Sequence, residues 1–290
     1  MLRTKYKNIS IQFVTLLTLC MSFVLVISLL LTSTHAAQPP QQPYYFVDAY
    51  QFPGTVYRMQ SRKPSVFFRR QSGGISSIVL WRGQLYFCSA NDRRIYQRTG
   101  KQQERVVFEH RTYIRDIAVD PSGYLYFSMA SGAGGDGRIY KLNPPVNKLE
   151  NDGHFSIASD SRKDPIQVHL KTVDGFWAGD FTFDAQGKLY LCSGNHIPAF
   201  IYKVPKENGV YGRPQRVYKD SRGAIKGIAI EPNSADPNNP IFIYYADWEQ
   251  SIHIFNINDL GRIIAFSFPE KKARRDNRHL SDIAFNIRRP

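Results

Sequence analysis

Cysteine is scarce in this chain, with three in 290 residues. None stands in a CxxC spacing or beside a histidine, which excludes a zinc knuckle and a vicinal dithiol centre. Cys20 lies in an apolar N-terminal run, whereas Cys88 in LYFCSA and Cys192 in LYLCSG hold the same place in two versions of one repeat. A disulfide needs Cα atoms within about 7 Å, and equivalent positions of non-adjacent sheets lie farther apart, so both are expected as buried free thiols. GxSxG and HExxH are missing as well, which excludes a nucleophile elbow and a zincin helix. The Gly-rich run at 132–137, GAGGDG, has no Gly-Lys-Ser/Thr and no helix after it, so it reads as an inter-strand loop and not as a phosphate cradle. Acid is also in short supply, with 24 Asp and Glu against 38 Lys and Arg and a net charge of +14. Such a surface favours anionic partners such as acidic polysaccharide, phosphate-bearing envelope polymers or lipid head groups, or else serves solubility alone. No nucleic-acid-binding motif accompanies it.

One long uncharged run is present. Residues 1–10 carry Arg3, Lys5 and Lys7 with no acid, and residues 11–31 then contain no charge. That length exceeds a secretory apolar core of about 7–15 residues and approaches the roughly 20 needed to span a bilayer. Thr34 and Ala36 place small residues where a signal peptidase reads, so cleavage near Ala36 and retention as a membrane anchor both stay open. The positive charge ahead of the run puts the rest of the chain outside the cytoplasm in either case. The resulting division is a signal peptide or anchor at 1–37, a Pro/Gln-rich linker at 38–43 reading QPPQQP, and a globular domain at 44–290.

The domain is built on a repeat. In residues 114–142 IRDIAVD forms a short apolar strand, PSG a tight turn, YLYFSM a second strand with two-residue alternation, and GRIYKL a third. The first strand recurs around Ile78, Ile117, Phe181, Ile228 and Ile283. Second strands recur as YYFVDAY, QLYFCSA, YLYFSMA, KLYLCSG and IFIYYAD, each followed by a third, and a weaker fourth recurs as SVFFRR, RVVFEH, IQVHLK, QRVYKD and IIAFSF. The chain opens on a second strand and ends just after a first, so its termini can complete one shared sheet. Closure of that kind removes exposed sheet edges. The fold class predicted is all-β, a β-propeller of four-stranded antiparallel blades, with five blades and six as the competitor. The competitor arises because residues 151–165 lengthen one interval to 64 residues, from Ile117 to Phe181; we read them as a loop. Asp120-Pro121-Ser122-Gly123 and Asp184-Ala185-Gln186-Gly187 read as turns whose carboxylates are structural.

SANDRRIY from Ser89 and SGNHIPAFIY from Ser193 resemble the loops of NHL-repeat propellers, and AVDPSGYLYF resembles the unit common to NHL, strictosidine-synthase-like and gluconolactonase-like propellers. The resemblance extends over the repeats from about Tyr44 onward and is specific for fold. Gluconolactonase-like relatives carry a channel metal held by Glu, Asn and Asp, two of them immediately before a Gly that precedes the first-strand apolar pair. The matching positions here are Arg115, Gly179, Lys226 and Ser281, so the ligand pattern is not reproduced, and a strictosidine-synthase glutamate has no match.

Ring-equivalent residues converge on the axis. Just before each first-strand apolar pair stand Ser77, Asp116, Asp180, Gly227 and Asp282. Asp116, Asp180 and Asp282 are candidate ligands for a hard cation such as Ca²⁺; alternatively each ties down a neighbouring N–H or pairs with Arg115 or Lys226. Farther upstream come Tyr113, Trp177 and His279, and the loops between second and third strands add His196 and Trp248 to the same face. Aromatic area with a polar edge suits a sugar or peptide, or packs between blades. The expected ligand-binding set is therefore Tyr113, Arg115, Trp177, His196, Lys226, Trp248 and His279. Two functions follow. One is a monomeric, extracytoplasmic, non-catalytic module for a glycan, peptide or other anionic envelope component; the other is a metal-dependent hydrolase or lactonase with its site in the channel.

Overall fold

A computed structural model describes residues 43–48, 52–60, 63–89, 93–110, 113–129, 139–142, 166–168, 180–193, 198–207, 210–221, 224–231, 242–247, 251–256, 262–267 and 280–287. Every regular element among them is a strand. The five blades are built from the inside outward. Blade 1 comprises Leu280–Ile287, Tyr44–Asp48, Thr55–Gln60 and Lys63–Arg69. Blade 2 comprises Ser77–Trp81, Gln84–Cys88, Arg94–Arg98 and Glu104–Glu109. Blade 3 follows as Ile114–Val119, Leu125–Met129, Ile139–Lys141 and Ile166–Val168. Blade 4 is Phe181–Phe183, Leu189–Cys192, Ala199–Val204 and Gln215–Asp220, with a side hairpin of Lys206–Glu207 and Val210–Tyr211. Blade 5 is Ile225–Ile230, Phe242–Asp247, Ser251–Asn256 and Arg262–Ser267.

The ring closes where the phase of the repeat requires. Leu280–Ile287 pairs antiparallel with Tyr44–Asp48, Phe285 opposite Tyr44 and Ile283 opposite Phe46. The five inner strands touch one another in the cyclic order of the blades, and the last residues of the closing strand run parallel to blade 2, Asn286 beside Leu80. Five blades, and not six, complete the circle. The Gly-rich run at 132–137 and the 151–165 stretch lie outside the described residues, as does the N-terminal apolar run.

The inner strands are apolar on both faces because neighbouring blades cover both, whereas outer strands such as Lys63–Arg69 are largely exposed. Five separate hydrophobic clusters form, one per seam. Ile117 and Val119 pack toward blade 2 with Val79 and Trp81, while the intervening Ala118 packs toward blade 4 with Phe181 and Phe183. The closing seam joins Tyr44, Phe46, Ile283 and Phe285 of blade 1 to Ala229, Tyr244 and Ile254 of blade 5. Alternate residues along one strand thus feed two cores.

The turns between first and second strands behave as their residues require. Asp120 accepts the Tyr124 N–H at 2.9 Å, and Asp184 accepts those of Gln186 and Lys188 at 3.0 and 2.8 Å. Gly123 and Gly187 follow with φ of 88° and 77°, a conformation that costs a Cβ-bearing residue more. The second oxygen of Asp120 takes the Tyr126 hydroxyl at 3.1 Å, so each turn is tied to the strand behind it. Cys88 and Cys192 are buried free thiols, and each donates to the inner strand of the following blade, at Arg115 O and Ile225 O.

Closure through the C-terminal strand makes Phe285 a test of the ring. It is 3% exposed and meets Tyr244 edge-on with centroids 4.7 Å apart. Phe285→Ala is expected to cost about 3–5 kcal/mol in urea unfolding, whereas Val66→Ala, at an exposed position of an outer strand, should stay within about 0.5 kcal/mol. Equal, small effects would mean that the terminal strand does not seat beside Tyr44.

Candidate functional site

The upstream ends of the inner strands carry the chemistry. Three seams share one device there. Asp282 of blade 1 accepts the Ile78 N–H of blade 2 at 2.7 Å. Ser77 of blade 2 accepts the Ile117 N–H of blade 3 at 3.1 Å, and Asp116 of blade 3 accepts the Phe181 N–H of blade 4 at 2.7 Å. The Ser77 hydroxyl in turn donates to the other Asp116 oxygen at 2.5 Å, and the other Asp282 oxygen takes the Ile283 N–H at 2.8 Å. These inner-strand N–H groups face away from the partner strand of their own blade, and a side chain of the preceding blade satisfies them.

Asp180 is used differently. Its Oδ1 lies 3.5 Å from Arg115 Nε, and it attracts Lys226 of blade 5 as well. The carboxylate therefore stands between two cations delivered by the blades on either side. Burial pushes its pKa up, the two cations pull it back, and the balance is about 6. Asp116 and Asp282 are pushed well above the usual carboxylate range by burial, with repulsion from Asp180 adding to it at Asp116, repulsion from Asp116 and Asp180 adding to it at Asp282, and hydrogen bonds opposing it at both. Burial works against the charge on Arg115, but Asp180 prevails and the guanidinium is held more firmly. Burial lowers the pKa of Lys226, aided by Arg115 and opposed by Asp180.

Arg115 and Lys226 owe their direction to an irregularity in pairing. In blade 3, Ile114 lies opposite Met129 and Asp116 opposite Ser128, so Arg115 has no counterpart across the ladder. Blade 5 repeats this, with Ile225 opposite Asp247 and Gly227 opposite Ala246, leaving Lys226 as the extra residue. Blade 1 does so at Ser281, between Leu280 and Asp282. A one-residue bulge re-aims the side chain it carries. Arg115 and Lys226 are half-buried, whereas Asp116 and Gly227 beside them are buried.

Tyr113, just upstream of Arg115, is 44% exposed, and the Arg93 guanidinium lies 5.2 Å from its ring centroid. Arg93 comes from the loop between the second and third strands of blade 2, on the same face of the ring. Trp177, His196, Trp248 and His279 lie outside the described residues. The bulges, the hydroxyl of Ser77 and the cation over Tyr113 are not legible in the sequence pattern. The repeat could at most have flagged Ser77 as the one hydroxyl at a register otherwise held by Asp or Gly.

The donor set does not suit the channel metal that the sequence resemblance to gluconolactonase-like propellers implies. Both oxygens of Asp116 and of Asp282 already accept hydrogen bonds, the positions one residue upstream present Arg115 and Lys226, and among the described residues no three of His, Cys, Asp or Glu stand together as a metal site. Cys88 is no better placed as a nucleophile, since burial drives its thiol pKa well up. What the cluster can do is hold an anion, with guanidinium and ammonium groups converging from two blades.

No protein-family model matches the chain, and neither does any curated protein. Among solved structures the ring is similar to a chain of the nidogen/laminin complex, with TM-score 0.51 and 12% identity, covering 84% of this chain and 98% of that one. An auxiliary nutrient-binding protein from Bacteroides ovatus ATCC 8483 gives 0.48 and 11%, covering 73% and 52%. A protein described as a gluconolactonase gives 0.48 and 15%, covering 84% and 81%. At these identities the likeness is one of fold.

Asp180 makes stability pH-dependent in a direction that can be worked out. Its folded pKa of about 6 lies above the roughly 3.9 of an unfolded aspartate, so between those values the folded state keeps a proton that the unfolded state has lost. Stability from this group is therefore fully present below about pH 4 and is lost as pH rises through 6, by about 3 kcal/mol in all. Urea midpoints from pH 4 to 7.5 should show that fall, and Asp180→Asn should make it shallower by this group's share, leaving the fall of the same sign that the raised Asp116 and Asp282 contribute. An identical slope in the variant would place the titration elsewhere.

Proposed function

We propose that the protein is an exported, non-catalytic binding propeller that takes an anionic ligand at the upstream end of its channel. The observation that carries this reading is the pair of bulges aiming Arg115 and Lys226 at one region from blades 3 and 5, with Asp180 between them. A guanidinium has five donors in a planar fork, and the bond to Asp180 leaves others for a carboxylate, sulfate or phosphate. Asp180 holds the two cations together when no ligand is present, and an anion adding to them meets a site whose groups are already oriented. The net charge of +14 draws anionic molecules toward it. Ligands of this class include acidic glycans and other charged envelope components. The basic residues ahead of the uncharged run at 11–31 support the export part of this reading.

Two measurements test this. Retention of the protein on an immobilised anionic polymer should fall about tenfold in Arg115→Gln and in Lys226→Gln, and hold in Lys63→Gln, at an exposed site on an outer strand. Unchanged retention in both channel variants rejects this face as the site, and equal retention on a neutral polymer rejects the ligand class. The mass of the purified protein should show an N-terminus near Ala37 if it is secreted or an intact Met1 if it is anchored; recovery in the cytosol would overturn export.

A further inference from the structure

Resting on that reading, we propose that the ligand is a linear anionic polysaccharide, carboxylated or sulfated, lying along a track from Lys226 and Arg115 at the axis, across Tyr113, to Arg93 at the rim. The residues occur in that order in space for reasons of chain geometry. Tyr113 precedes Arg115 by two residues, so their Cα atoms are at most about 7 Å apart. The ring of Tyr113 is exposed, and the Arg93 guanidinium sits over it at 5.2 Å. Arg93 itself is held in place, because its carbonyl accepts the His110 N–H at 2.8 Å at the end of the outer strand of blade 2. Cations and one flat aromatic therefore alternate from the centre of the ring toward its margin, over the seam between blades 2 and 3.

That alternation matches a charged sugar chain better than other anions. A pyranose offers an apolar C–H face that packs on an aromatic ring, while its carboxylate or sulfate projects from the edge toward a neighbouring cation. A free phosphate or a single acid sugar would use Arg115 and Lys226 and leave Tyr113 and Arg93 idle. An acidic peptide carries its charges on flexible side chains and has no repeating flat face for Tyr113. Several weak subsites in a row bind a chain far more tightly than its monomer, because each later contact is intramolecular.

The test is the dependence of affinity on chain length, measured by calorimetry on the protein purified as the cell exports it. The probes are galacturonate and its oligomers of three and six residues, a sulfated cello-oligosaccharide, neutral cellohexaose and hexaglutamate. Affinity for the charged sugars should rise about tenfold or more from one residue to six. Tyr113→Ala and Arg93→Gln should remove that gain, while Tyr113→Phe, which keeps the ring face, should retain it. Arg115→Gln should weaken monomer and hexamer alike. Affinity independent of length overturns the track while leaving the axial anion site standing. Hexaglutamate bound as tightly as hexagalacturonate, and unaffected by Tyr113→Ala, overturns the assignment to sugar. No binding by any of the anions overturns both this inference and the reading it rests on.

Discussion

A sheet that ends at the axis of a ring leaves its innermost strand with one unpaired edge, and the backbone N–H groups on that edge need acceptors. At three of the five seams the side chain just before the apolar pair meets this need, from Asp282 to Ile78, Ser77 to Ile117 and Asp116 to Phe181. Each buried N–H left without such a partner would cost about 1–3 kcal/mol, so the same residues that satisfy the backbone also hold consecutive blades in register. The pinning residues are short: a carboxylate one carbon from the backbone, or a serine hydroxyl, spans the gap without losing much rotamer entropy. The order of the blades is thus written at their inner ends, while their mutual grip comes from the cores farther out.

Those outer cores explain why a ring suits this composition. With five clusters of Ile, Val, Leu, Phe and Tyr distributed among five seams, no blade has a spare face and none could stand alone in water. The final strand is then a structural necessity, because without it Tyr44 and Phe46 on blade 1 and Tyr244 on blade 5 would lose the residues that cover them. Circular closure converts the usual weakness of an edge strand into the place where the first and last parts of the chain meet.

The fold was largely legible in the sequence because its determinants are local and repeated. A turn of Asp-x-x-Gly, an alternating aromatic strand and a constant phase between them state the blade, and the phase at the two ends states the closure between residues such as Tyr44 and Phe285. The candidate site was legible only in part. Tyr113, Arg115 and Lys226 stand out by type and position, but alternation counted along Ile114–Val119 assumes an unbroken ladder. A bulge adds a residue without changing composition, so nothing in the letters marks Arg115 as the residue without a partner. The roles of Asp116 and Asp282 were likewise open, since a carboxylate reaching for an N–H and one reaching for a cation occupy the same place in a repeat. The distinction depends on which atoms of the next blade come within 3 Å, and that is set by the ring as a whole.

The bulges also separate what the fold needs from what it permits. Three blades carry the extra residue at one register, and it is Arg115 in blade 3, Lys226 in blade 5 and Ser281 in blade 1. Serine in this place completes its ladder on either side, so the bulge itself makes no demand for charge. Half-burying a guanidinium and an ammonium near one another is unfavourable through both desolvation and repulsion, and the lowered pKa of Lys226 records both. Asp180 offsets part of that cost, and its own raised pKa shows that the balance is not comfortable for the carboxylate either. Asp180 more than compensates Arg115, whereas Lys226 is kept there against its electrostatics; on the reading we propose, an anion from outside completes the set.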